Sequence, residues 1–211
     1  MQNIYNYIEN HIKEEDPVLK ELTRQTHLKA VQPRMLSGHL QGDFLSLLAT
    51  LKGANRILEL GTFTGYSTIC LARATAENGH VHTVDINDEL FSLARKFFDK
   101  ANLSTKITQH LGEALQIMEQ FKEPFDLVFI DADKREYPQY YDALFNLNLV
   151  KKGTLIIADN TLWSGKVVEK IDPKDLYLKG ILDFNKQIAN DPRVDVVMIP
   201  LRDGITLATV K

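Results

Sequence analysis

The chain has 211 residues, 44% hydrophobic and 25% charged, with 11 Gly and 7 Pro, which excludes collagen-like, low-complexity and wholly disordered chains and suffices for a core without staples. A net charge of −3 with no Lys/Arg-rich segment makes a nucleic-acid duplex an unexpected partner, while a small, locally read RNA site stays open. The single cysteine, Cys70, precludes an internal disulfide, and its apolar surroundings predict a small core residue.

The opening stretch MQNIYNYIENHIKEED is too polar and acidic for a secretory signal or transit peptide, and no apolar run approaches the length of a membrane span. A cytoplasmic protein that does not enter a membrane is therefore expected. Residues 1–52 read as a helical layer, with helices near 2–13, from Pro17 onward, and near 40–51. In the last of these, Phe44, Leu45, Leu47, Leu48 and Leu51 recur at helical spacing and predict one apolar face.

From Asn55 the pattern changes to short β-like runs (RILEL, HVHTVDI, KITQHL, FDLVFID, GTLIIAD) separated by helical stretches. Such alternation predicts βαβ units, a parallel sheet and helices on both faces. FDLVFI and GTLIIA are almost continuously apolar, as central strands covered on both sides should be. VDVVMIPL and GITLATVK, joined by Arg-Asp-Gly, predict an antiparallel hairpin at the end. No linker or internal repeat interrupts the pattern, so 1–211 reads as one domain, with a core from residue 53 onward.

In a doubly wound sheet, ligands bind beyond the carboxyl ends of the strands. The first run ends Glu59-Leu60-Gly61-Thr62-Phe63-Thr64-Gly65-Tyr66-Ser67, a turn whose glycines allow close approach of a ligand to the backbone. It matches neither G-x-G-x-x-G nor a P-loop. Glu59 would repel a pyrophosphate and suit an ammonium-bearing ligand; the alternative is a plain strand-to-helix turn with an exposed Glu. Asp85, ending the second run, could accept hydrogen bonds from ribose hydroxyls or cap a helix beginning near Asn87 and Asp88. Gly112-Glu113-Ala114 could let an adenine ring lie near the backbone. Together these ends describe a cleft for an amine-bearing nucleoside without phosphates, which fits S-adenosylmethionine.

The fourth run ends Asp131-Ala132-Asp133-Lys134 and the fifth Asp159-Asn160. On adjacent strands, two carboxylates and an amide oxygen would converge, a hard-oxygen set suited to Mg²⁺, Mn²⁺ or Ca²⁺. The alternative, polar loops that cap helices, leaves the repulsion of the two carboxylates unanswered. His80 and His82 share a strand face, but no other Cys or His has the spacing to complete a zinc site, and a solvated face is expected.

From about Met35 onward the chain resembles the cation-dependent class I O-methyltransferases of the caffeoyl-CoA and catechol type. The motifs that carry the resemblance are LELGTFTGYST (58–68), VFIDADKREY (128–137), IIADNTLWSGKVV (156–168) and DGITLA (203–208). It implies an α/β, Rossmann-like fold with a mostly parallel seven-stranded sheet, a reversed last strand and extra N-terminal helices. It also implies cofactor binding by Glu59, Gly61, Thr62, Ser67, Asp85, Gly112, Ala114 and Asp131, with Met35 and Ser37 covering the cofactor. Asp131, Asp159 and Asn160 would hold the metal, Lys134 would be the candidate base, and a homodimer is expected. MLSGHLQGDFL is only loosely like the family's segment there, and the loop after Trp163 is of the variable kind that selects substrate.

The implied chemistry is in-line attack of an oxygen on the sulfonium methyl group of S-adenosylmethionine. A divalent cation chelated by two adjacent hydroxyls lowers their pKa and fixes the attacking oxygen. The expected acceptor is a small vicinal dihydroxy aromatic molecule, covered by Trp163 together with Arg202 and Asp203. A hydroxylated base in tRNA is the alternative acceptor, and a non-catalytic nucleoside-binding module is the reading from a different class.

Overall fold

The computed structural model describes residues 2–211. Seven strands form one sheet in the order β3-β2-β1-β4-β5-β7-β6. They are β1 (Arg56–Leu60), β2 (His80–Asp85), β3 (Ile107–Leu111), β4 (Leu127–Ile130), β5 (Leu155–Asp159), β6 (Val194–Ile199) and β7 (Ile205–Val210). The five strands from β3 across to β5 pair in parallel, and β7 runs antiparallel between β5 and β6. The strand order reverses between β1 and β4, the switch point at which ligand clefts open in such sheets.

The helices are α1 (Gln2–Glu9), α2 (Pro17–Lys29), α3 (Gly38–Lys52), α4 (Tyr66–Ala74), α5 (Phe91–Lys100), α6 (Ala114–Met118), α7 (Tyr137–Asn146) and α8 (Leu176–Ala189). No helix among the described residues is long and apolar enough to cross a membrane. The continuously apolar runs FDLVFI and GTLIIA are central strands: every residue of β4 is buried, as are Ile156 to Ala158 of β5. One apolar cluster, with Leu45, Ile57, Ile69, Phe97 and Phe129, fills one face of the sheet. The other, with Leu58, Val128, Tyr137, Tyr141 and Phe184, fills the opposite face. Each fully buried Leu, Ile or Phe contributes about 1.5–3 kcal/mol relative to an exposed one. Cys70 is buried, as its neighbours predict.

Two helix boundaries and the buried face of α3 differ from the sequence expectation. The first helix ends at Glu9 rather than near residue 13. His11 donates from Nδ1 to the Tyr7 carbonyl at 2.6 Å while its backbone N–H turns to Ile8, so the side chain takes the acceptor that the next helical hydrogen bond would use. In α3 the fully buried stripe is Gln41, Gly42, Leu45 and Ala49, while Leu47 and Leu51 are exposed. The five apolar residues span too wide an arc for one face, and Gly42 sets the rotation, because a Cβ there would overlap Cys70 Sγ and the Tyr66 ring. Lastly, Asn87 accepts from Glu89 N–H at 2.9 Å and closes a turn, and α5 begins later, at Phe91.

The histidine face also departs from expectation. His110 of β3 joins His80 and His82, its Nε2 lying 3.1 Å from His82 Nδ1, and Phe121 and Phe125 pack edge-on against the His82 ring. The face is half-buried rather than solvated, because the segment after α6 folds over it. Arg56 Nη1 lies 3.2 Å from His82 Nε2, a repulsive neighbour for a cation, and no three His, Cys, Asp or Glu side chains among the described residues have the geometry of a metal site. Burial first, then the charges of Arg56, His80 and His110, holds the His82 imidazole down at about 3. An unfolded histidine takes up its proton near 6.5, so the unfolded chain binds more protons below that pH. The stability that His82 contributes is therefore present above about 6.5 and lost as pH falls toward 3. Denaturant titrations at pH 7.5, 6 and 5 should show the loss, at well under the ~1.4 kcal/mol per pH unit of a fully buried group, because solvent screens a half-buried imidazole. His82→Gln should flatten it; an unchanged pH slope in the variant would contradict the assignment.

Candidate functional site

The carboxyl ends of β1 to β5 open into one cleft of about 1470 Å³. Its walls include every residue that the family resemblance assigns to the cofactor, the metal, the base or the acceptor cover, except Glu59. At the turn after β1 these are Gly61, Thr62 and Ser67; at the ends of β2 and β3, Asp85, Gly112 and Ala114; at the ends of β4 and β5, Asp131, Lys134, Asp159, Asn160 and Trp163. Met35, from the short 3₁₀ segment Pro33–Met35, Ser37, at the N-terminal end of α3, and Arg202 and Asp203, from the β6–β7 turn, face the same space.

The turn after β1 is also built by packing against the protein itself, a second demand on its glycines beside the access that Gly61 gives to the cleft. Gly61 has φ +104°, and a Cβ there would run into the Asp131 carbonyl. This lets the ends of β1 and β4 meet, with Asp131 N–H donating to Leu60 O at 2.7 Å. Gly65, at φ +89°, starts α4 where a Cβ would overlap the Phe98 ring. Asp85 holds the same turn: one oxygen accepts from Phe63 N–H at 2.7 Å and the other from Asn87 N–H at 2.9 Å.

Glu59 lies beneath this turn and is fully buried, not exposed as the plain-turn alternative would have it. Its Oε2 accepts from the hydroxyls of Thr68 and Thr83, the latter at 2.6 Å. Oε1 is buried with no hydrogen-bond partner among the described residues. Burial raises the carboxyl to about 7 against the opposing effect of the Ser67, Thr68 and Thr83 hydroxyls. A buried carboxylate oxygen under the turn with no partner among the described residues is a fitting counterpart for an ammonium group.

The two acids at the ends of β4 and β5 are brought together by register, because Ile130 pairs with Ala158 and the next residues are Asp131 and Asp159. Asp131 accepts from Lys134 Nζ at 2.5 Å, so Lys134 pairs with this acid and not with Asp133 or Glu136. Lys134 starts a 3₁₀ turn (Lys134–Glu136) capped by Asp133, and α8 approaches its backbone so closely at Gly180 that a Cβ would overlap the Lys134 carbonyl. Asp159 is 5% exposed, and burial first, then the Asp131 charge, raises its carboxyl to about 6. It accepts from Gln41 Nε2 at 2.7 Å and from Asn160 N–H at 2.7 Å. Two carboxylates whose charges oppose one another, beside an amide, form a donor set that fits a hard divalent cation.

Arg202 and Asp203 are largely committed to the protein's own backbone. Arg202 donates to the Leu36 carbonyl at 3.0 Å, tying the β6–β7 turn to the segment that carries Met35 and Ser37. Asp203 accepts from the backbone N–H of Ser164 and lies 3.4 Å from Asn160 Nδ2. This holds the 3₁₀ stretch Trp163–Val168, in which Trp163 and Ser164 both have positive φ. Trp163 lies nearly parallel to Tyr177, with centroids 6.1 Å apart and planes 9° apart, and Arg135 sits over the other ring at 5.0 Å. Tyr177, at the start of α8, belongs to the cleft and was not singled out from the sequence, because nothing before α8 signals how far the intervening loop folds back. Gln41 and Tyr137 were also missed. Tyr137 Oη is shared between the Ile130 and Asp159 carbonyls at 3.1 and 3.2 Å and clamps the two acid-bearing strand ends.

A family model described as O-methyltransferase matches residues 9–211. Caffeoyl-CoA O-methyltransferase 2 of Populus trichocarpa is 38% identical over 216 residues, spanning 97% of this chain and 87% of that protein. The catechol O-methyltransferase of Niastella koreensis is 36% identical over 219 residues, spanning 100% and 97%. Among solved structures, an O-methyltransferase from Bacillus cereus in complex with SAH matches with a TM-score of 0.91 at 34% identity, covering 99% of this chain and 97% of that one. An O-methyltransferase of tomaymycin synthesis from Streptomyces achromogenes, in complex with SAM, matches with a TM-score of 0.91 at 32% identity, covering 99% and 96%.

The packing role of the turn is testable without any ligand. Gly65→Ala combines an unfavourable positive φ with overlap on Phe98 and should destabilise the fold by about 3 kcal/mol in urea titrations. A change below about 0.5 kcal/mol, the range of ordinary surface substitutions, would contradict the packing argument.

Proposed function

The chain belongs to the O-methyltransferase family and is an S-adenosylmethionine-dependent enzyme of the caffeoyl-CoA and catechol type, and we propose that it methylates one oxygen of a small vicinal dihydroxy aromatic acceptor held by a divalent cation, Mg²⁺, Mn²⁺ or Ca²⁺. The observation that carries the proposal is that Asp131, Lys134, Asp159 and Asn160 line the same cleft as Ser67, Asp85 and Ala114, within reach of one pair of reactants. The acceptor class has further support from relatives whose names give caffeoyl-CoA and catechol as what they act on. A homodimer is the proposed assembly, on family resemblance alone.

When bound, the cofactor supplies an electrophilic methyl group and the cation lowers the pKa of the hydroxyl it chelates. The residues of the chain bind, orient and exclude water. Glu59 Oε1 is the proposed partner of the cofactor's ammonium group, and Asp85, already anchored by two backbone N–H groups, offers its remaining lone pairs to the ribose hydroxyls. Gly61, Thr62, Gly112 and Ala114 are proposed to flank the nucleoside, with Met35 and Ser37 covering it. Asp131, Asp159 and Asn160 are the proposed cation ligands. Lys134 Nζ, held beside Asp131, is the proposed acceptor of the hydroxyl proton, a role it fills as the neutral amine once the ammonium form has given up its own proton to solvent. Trp163 and Tyr177 present aromatic faces suited to an acceptor ring, while Arg202 holds the segment proposed to cover the cofactor and Asp203 the loop proposed to cover the acceptor. Holding both reactants in one cleft supplies much of the remaining acceleration.

Methyl transfer to a catechol should be abolished by a chelator and restored by Mg²⁺ or Mn²⁺, and a monohydroxylated analogue should react far more slowly. Full activity in excess chelator with metal absence verified, or methylation of hydroxylated tRNA alone, would overturn the cation or the acceptor assignment respectively. Asp85→Ala should weaken cofactor binding in calorimetry by about 1.5–3 kcal/mol, the loss expected of charge-assisted hydrogen bonds; unchanged affinity would remove Asp85 from the ribose site. Near pH 7, binding of the cofactor should release a proton from Glu59, read as a buffer-dependent binding enthalpy that Glu59→Gln abolishes.

A further inference from the structure

Gln41 sits in the buried stripe of α3, with Gly42, Leu45 and Ala49, and is 1% exposed. Nothing in the packing of that stripe calls for an amide. A buried amide pays a desolvation cost that a leucine would not, and here the cost is only half offset, because Oε1 is buried with no hydrogen-bond partner among the described residues. The other half of the amide makes one strong contact: Nε2 donates to Asp159 Oδ2 at 2.7 Å in a fully buried setting. Asp159 Oδ1 accepts from Asn160 N–H, also at 2.7 Å. The carboxylate is thus gripped at both oxygens, by β5's own continuation on one side and by the N-terminal layer on the other.

The chemistry of the two grips differs from that of the neighbouring acid. Asp131 is held by an ammonium, which cancels its charge, whereas the donors on Asp159 are neutral and leave its charge intact. A neutral donor fixes the plane of a carboxylate while leaving lone pairs and full charge for a cation. Gln41 also lies one helical turn from Ser37, where the segment covering the cleft runs directly into α3. We propose that Gln41 is a positioning residue that orients Asp159 for a divalent cation and joins that carboxylate to the cleft-covering segment Met35–Ser37. The inference rests on the cation reading given above.

The test is Mn²⁺ binding to the full-length protein in the presence of S-adenosylhomocysteine, followed by electron paramagnetic resonance, alongside thermal unfolding without metal. Wild type should bind Mn²⁺. Gln41→Leu should keep its unfolding temperature and its S-adenosylhomocysteine affinity within about twofold while Mn²⁺ affinity falls about tenfold, the scale on which outer partners of a metal ligand act. Gln41→Glu, which sets a further carboxylate against Asp159, should unfold at lower temperature without metal and recover on adding Mn²⁺, binding it more tightly than Gln41→Leu does. Should Gln41→Leu fold poorly, the Mn²⁺-dependent recovery of Gln41→Glu decides the matter. A role confined to packing would lower the unfolding temperature of both variants, leave Mn²⁺ affinity at the wild-type value and so overturn the proposal. Equal Mn²⁺ affinity in wild type and Gln41→Leu overturns the role of Gln41 alone, whereas no Mn²⁺ binding by wild type overturns the cation reading together with it.

Discussion

A carboxylate is costly to take out of water, and two of them on neighbouring strands add mutual repulsion to that cost. The parallel register of β4 and β5 imposes this situation, since pairing Ile130 with Ala158 brings Asp131 and Asp159 to the same edge of the sheet. Much of the surrounding structure answers it. Lys134 is delivered to Asp131 by a short turn that Asp133 caps and that Gly180 allows α8 to press against. Tyr137 ties the two strand ends together, and Gln41 reaches in from the N-terminal layer to Asp159. A packed apolar strand end would need none of these contacts, so their concentration here points to chemistry rather than to stability.

The two parts of the chain outside the repeating β–α pattern close over the same point. The N-terminal layer contributes Met35 and Ser37 to the cleft and is fixed by Thr26 against Thr64 at 2.9 Å and by Gln41 against Asp159. The C-terminal hairpin contributes the turn in which Arg202 holds the Leu36 carbonyl and Asp203 holds the backbone of Ser164. The segment over the proposed cofactor end and the loop over the proposed acceptor end are therefore both moored to adjacent residues of one turn.

The sheet was legible in the sequence because its signals are local: nearly unbroken apolar runs for β4 and β5, short β-like runs for the other parallel strands, and polar residues at the strand ends. Asp85, Asp131, Asp159 and Asn160 could be picked out for the same reason, since topology alone carries strand ends to one edge. What escaped depends on contacts between distant segments. The glycines at 61 and 65 read as a tight turn open to a ligand; that each is also required by a neighbour, the Asp131 carbonyl and the Phe98 ring, is something spacing cannot disclose. Leu47 and Leu51 extend an apolar pattern that the α3–α4 contact at Gly42 rotates into solvent. His110 joins His82 only through the β2–β3 pairing, and Tyr177 reaches Trp163 only because the 3₁₀ stretch doubles back. Gln41 looks like an ordinary polar residue of an amphipathic helix until its partner, far along the chain, is known.

The central claim is that methyl donor, divalent cation and dihydroxy acceptor meet where β4 and β5 end. Crystals grown with S-adenosylhomocysteine, Mn²⁺ and a catechol would test it most directly, by locating manganese from its anomalous scattering. The account predicts a single strong peak bounded by Asp131, Asp159 and Asn160, with both catechol oxygens on the metal and the ring against Trp163. A manganese peak elsewhere, or a catechol bound in the cleft without contact to the metal, would contradict it.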